Sequence, residues 1–64
     1  MQMENNRYLS DREVSDMTGI AIPTLRNYRS QRKGIPYIKF GRSVRYSLKD
    51  VIEYMESRKI SPNG

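Results

Sequence analysis

The sequence predicts a small, mainly α domain with one β-hairpin, in the order helix, helix, hairpin, helix. Three observations point to it. Ser10 with Glu13 and Ser47 with Asp50 each form a serine-led capping signature ahead of apolar residues spaced three or four apart. Gly19 and Pro23 stand where one helix would end and the next begin. Between Tyr37 and Ser47 the apolar spacing shortens from about 3.6 residues to about 2, with turn residues in the middle.

The first helix starts at Asp11, with Ser10 as its cap, Glu13 closing the capping box and Leu9 stapling onto Val14. Val14 and Met17 share its inner face, and Gly19 supplies a left-handed residue that stops it near Thr18. The second helix follows the short link "GIA". Pro23 lies in its first turn, where a missing amide hydrogen costs nothing, and Leu25 and Tyr28 face inward. Gly34 ends it, with Pro36 behind. Two short helices joined by a few residues including glycine have the spacing of a helix-turn-helix.

The segment "YIKFGRSVRYS", residues 37–47, reads as a hairpin over residues 37–46. A two-residue loop would put Val44 and Tyr46 on the face opposite Ile38 and Phe40. A three-residue loop, Gly41 to Ser43, instead gives Ile38, Phe40, Val44 and Tyr46 one buried face and sets Lys39 opposite Arg45 outside. That pair is repulsive and would be relieved by an anionic partner. In the last helix Ser47 caps, Tyr46 staples onto Val51, and Leu48, Val51, Ile52 and Met55 form the stripe of a helix laid on a core. Tyr28, Phe40 and Tyr46 are assigned to the core and Tyr8 to the first cap, while Tyr37 and Tyr54 stay open.

A chain of 64 residues has room for one core. The domain is expected over residues 8–59, between flexible ends at 1–7 and 60–64. No apolar run suits a signal peptide or membrane span, and cysteine is absent, so a cytoplasmic, nucleoid-associated protein without disulfides is expected. Histidine is absent too, the carboxylates are scattered, and no phosphate-binding glycine loop occurs. No enzyme activity, metal or cofactor is therefore expected.

The charge is uneven. Residues 17–49 carry eight lysines and arginines and no acid, whereas residues 1–16 hold two cations against four anions. On the second helix, about 22–31, a rotation of about 100° per residue turns Pro23, Thr24, Arg26, Asn27 and Ser30 away from Leu25. Arginine and asparagine make paired hydrogen bonds to guanine and adenine edges, and a helix fits the major groove of DNA. Arg29, Arg32 and Lys33, toward the helix end, either offset the helix dipole or touch phosphate. The hairpin adds Lys39, Arg42, Ser43 and Arg45 as a wing or flank for the sugar-phosphate backbone or minor groove. These residues point to sequence-specific binding of double-stranded DNA. The alternative from another class is an adaptor whose basic surface docks an acidic protein.

The stretch "YLSDREVSDMTGIAIPTLRNYRSQRKGIPYIKFGRSVRYSLKDVIEYM", residues 8–55, resembles the small excisionase-like, MerR-like winged helix-turn-helix proteins of phages and prophages, including AlpA-type regulators. The resemblance implies a DNA-binding protein acting in excision or transcription. It places Thr24, Arg26 and Asn27 in the major groove and Lys39, Arg42 and Arg45 on the wing. It also implies a monomer that gains affinity through a second copy bound cooperatively or through an integrase. Ala21 departs from the serine or threonine usual in that family, so the second helix is expected to lack a side-chain cap.

Overall fold

The computed structural model describes residues 7–60. The elements are β1 (Tyr8–Leu9), α1 (Asp11–Thr18), α2 (Ile22–Ser30), β2 (Ile38–Phe40), β3 (Ser43–Ser47) and α3 (Leu48–Ser57). Three helices and a small antiparallel sheet ordered β1-β3-β2 make a winged helix-turn-helix. The chain ends expected to be flexible fall mostly outside the described residues. Among the described residues no helix is long and apolar enough to cross a membrane.

Local chemistry sets the helix starts. Ser10 accepts the Glu13 amide at 3.2 Å while the Ser10 amide donates to the Glu13 carboxylate at 2.9 Å, which closes the capping box of α1. Gly19, at φ 78°, ends that helix. Ser47 accepts the Asp50 amide at 3.0 Å and starts α3. Helix α2 begins at Ile22 behind Ala21, which offers no side-chain cap. Serine at position 21 supplies the missing acceptor, so Ala21→Ser is expected to stabilise the domain by about 1 kcal/mol in urea denaturation at unchanged m-value. Helix α2 stops at Ser30 rather than running to Gly34, because Arg32 takes the left-handed conformation at φ 57° and the Lys33 amide folds back onto the Tyr28 carbonyl.

The core is Leu9, Val14, Leu25, Ile35, Tyr46 and Val51, with Ile20, Val44, Leu48 and Tyr54 packed around it. Its position explains where the sequence expectations fail. Ile35, between Gly34 and Pro36, belongs to no periodic pattern, yet it is buried. Strand β1 was not expected at all. It pairs Leu9 with Tyr46 and Tyr8 with Ser47, so Leu9 enters the core while Tyr8 is exposed on the outer face of the sheet instead of packing at the cap. Met17, Ile52 and Met55 are also exposed, since α1 is short and α3 turns Leu48, Val51 and Tyr54 inward.

The hairpin register corrects the three-residue loop. Phe40 pairs with Ser43, Lys39 with Val44 and Ile38 with Arg45, which leaves a two-residue loop at Gly41 and Arg42. Gly41 alone has positive φ, 57°, as in a turn whose first central residue is glycine and whose twist suits the flanking strands. Ile38 and Phe40 consequently share the outer face with Ser43 and Arg45, and Phe40 is 60% exposed. The burial expected of them fails because this register turns them to the face opposite Val44 and the buried Tyr46. Lys39 and Arg45 lie on opposite faces, so the repulsion expected between them is absent.

Candidate nucleic-acid interface

The outward face of α2 carries Pro23, Arg26, Asn27 and Ser30, all exposed, with Thr24 half-buried at its edge. No side-chain hydrogen bond or ion pair engages Arg26 or Asn27 among the described residues, so both keep free donors. Beside this face a groove runs between the start of α1, helix α2 and the hairpin tip. Arg12, Arg26, Arg29, Arg42, Ser43 and Arg45 line it together with Asp11. Two helices and the hairpin therefore bring five arginines to one concavity, which is an electrostatic footprint for a polyanion.

Arg29 has a different role from the other four. Its Nη1 donates to Asp11 Oδ1 at 2.7 Å and also to the Tyr46 hydroxyl, while its Nη2 lies 3.4 Å from Asp11 Oδ2. Its side chain is only 15% exposed. The guanidinium also stands 5.7 Å from the Tyr37 ring centre and 5.9 Å from that of Tyr46. Burial opposes its charge, but the hydrogen bonds to Asp11 and Tyr46 outweigh burial and hold its pKa above the ordinary arginine value. Burial likewise raises the Tyr46 phenol, against the opposing pull of Arg29. Arg29 thus ties α1, α2 and β3 together from the inside, and Asp11 matches its charge.

The remaining predicted residues divide by position. Arg42 and Ser43 open onto the groove, and Arg45 lies half-buried there with its Nη1 donating to the Val44 carbonyl at 2.8 Å. Lys39 projects from the other face of the hairpin and does not join them. Arg32 and Lys33 lie at the far end of α2, lining a separate depression with Ile35 and Tyr37. Arg12 is the residue that sequence reasoning missed. It sits in a net-acidic segment, and only the angle at which α1 braces α2 brings it to the groove. Glu13 stays out of that field: the Ser10 amide, helped by Arg7, holds its carboxyl below the ordinary value.

A family model described as a helix-turn-helix domain matches residues 8–59, most of the chain. The chain belongs to that excisionase-like helix-turn-helix family. No curated protein and no solved structure matches it. Membership makes it a DNA-binding helix-turn-helix, with α1 and α2 as the paired helices and β2–β3 as the wing.

Proposed function

We propose that this helix-turn-helix protein binds double-stranded DNA sequence-specifically, as an excisionase or a small MerR-like transcription regulator, and catalyses no reaction. Helix α2 enters the major groove with Arg26 and Asn27 toward the base edges. The hairpin tip holds the flanking backbone or minor groove through Arg42 and Arg45, and Arg12 on the bracing helix adds a phosphate contact. The observation that carries this reading is the groove shared by Arg26 and Arg42, with exposed Asn27 next to Arg26 on the same helix. With this reading we infer a cytoplasmic, nucleoid-bound monomer that gains affinity beside a second copy or an integrase.

Selection of duplexes from a random pool, followed by salt titration, tests the reading. Enrichment of a defined sequence is expected. Five to seven phosphate contacts would give log K against log salt a slope of roughly −5 to −6. Failure of every duplex to bind below about 10 micromolar at low salt would favour docking of an acidic protein instead, because non-specific DNA binding reaches about that range.

A further inference from the structure

Four side chains at the C-terminal ends of α2 and α3 form a second basic site, on the flank of α2 away from the wing. Tyr28, Lys33, Tyr54 and Arg58 line a pocket of about 200 Å³ with Gly34. The Arg58 guanidinium carbon stands 4.1 Å from the centre of the Tyr54 ring, and Lys33 Nζ stands 5.2 Å from that of Tyr28. Neither cation has a carboxylate within 4.0 Å among the described residues. Gly34 fits the ring closely, since a Cβ there would fall 2.9 Å from Tyr28 Cδ2.

Stacking matters for what the pocket can hold. A guanidinium over an aromatic face loses rotamer freedom but keeps its in-plane N–H groups, which suit the paired oxygens of a phosphate. Among the described residues only one of them is engaged, Nη1 donating to the Ser57 hydroxyl at 3.1 Å. The position of the pocket matters as well. With Leu25 pointing inward at zero, the groove-lining Ile22, Arg26 and Arg29 fall at about 60°, 100° and 40°, and Tyr28 at about −60°. The wing groove and this pocket therefore flank the reading face from opposite sides. A helix is about 10–12 Å across with its side chains, close to the width of about 12 Å of the major groove, so cations on its two flanks meet the two different strands.

We propose that Arg58 and Lys33 hold a backbone phosphate on the strand opposite the one gripped by Arg42 and Arg45. This rests on the DNA-binding reading above and adds α3 to the interface. The two helix C-termini at the pocket carry partial negative charge, about half a unit each, which two full cations exceed.

The test compares Arg58→Gln, Lys33→Gln and Arg42→Gln on the selected duplex, using salt titrations and duplexes with a neutral methylphosphonate at single backbone positions. Arg58 and Lys33 are exposed, so both variants are expected to fold, as checked by circular dichroism. Arg58→Gln and Lys33→Gln together are expected to make the salt slope shallower by about 0.9, and each alone by part of that, with the selected sequence unchanged. One methylphosphonate position should weaken wild type while leaving Arg58→Gln indifferent, and it should lie on the strand that Arg42→Gln does not report. Unchanged slopes for Arg58→Gln and Lys33→Gln alongside a shallower Arg42→Gln would overturn the second grip while leaving DNA binding intact, the cations then serving only the helix ends. Wild-type failure on every duplex would overturn both readings together, and Arg58-dependent capture of an acidic peptide in that case would reassign the pocket to a protein.

Discussion

Replacing Arg29 with methionine is expected to destabilise the domain by about 2–3 kcal/mol, and so to lower its melting temperature by on the order of 10–20 °C. Methionine keeps most of the side-chain length and removes the guanidinium. Asp11 is then left partly buried without its counter-ion, and the Tyr46 hydroxyl loses its donor inside the fold. Breaking a fully buried pair costs about 3–5 kcal/mol, and the smaller figure reflects residual exposure of both partners, 15% and 21%. Asp11→Asn should cost less, because an amide still accepts one N–H from Arg29. A double-mutant cycle of Arg29→Met with Asp11→Asn should show a coupling of about 1 kcal/mol or more.

Arg29→Lys separates this inner role from a phosphate contact. Lysine keeps the charge but loses the planar fork that spans Asp11 and Tyr46. A melting temperature several degrees lower with an unchanged salt slope is expected from calorimetry and binding together. A variant of unchanged melting temperature that binds the selected duplex more weakly would put Arg29 back on the DNA. The alkaline limb offers an independent check on the same cluster. Tyr46 titrates higher in the folded state than in the unfolded chain. Its contribution is therefore complete below the ordinary phenol value near 10 and fades as pH rises through the folded-state value. Tyr46→Phe should flatten that part of the pH–stability curve.

The Arg29 cluster also marks what a sequence can disclose. The starts of α1, α2 and α3 were legible because each depends on residues within four positions: a serine and its third neighbour, or a proline after a glycine link. The outward face of α2 was legible for the same reason, since Leu25 inward fixes Arg26 and Asn27 outward by rotation alone. Arg29–Asp11 spans eighteen residues and Leu9–Tyr46 thirty-seven, and no local pattern encodes either. Asp11 was further disguised because an acid in the first turn already satisfies the helix dipole. The hairpin was legible as a hairpin but not in register. Burial of Ile38 and Phe40 was assumed to decide the loop, whereas the twist of the tight turn prevailed and left them on the outer face of an edge strand.

Arg26→Ala and Arg42→Ala should fail in different ways on DNA, and the contrast locates the reading helix. Arg26 lies on the exposed face of α2 with free in-plane donors, so its loss removes a paired contact to a base edge. Affinity for the selected site should fall by roughly 5- to 150-fold, corresponding to about 1–3 kcal/mol, with little change on unrelated duplexes. Specificity at one base pair should relax in a repeated selection. Arg42 stands at the hairpin turn, exposed beside the groove, where backbone passes whatever its sequence. Its loss should weaken selected and random duplexes alike and make the salt slope shallower by about one, while selection returns the same sequence. Asn27→Ala should behave like Arg26→Ala at a neighbouring adenine. Arg26→Ala that weakens all duplexes equally, or Arg42→Ala that changes the selected sequence, would exchange the roles of helix and wing and make the hairpin tip the reading element.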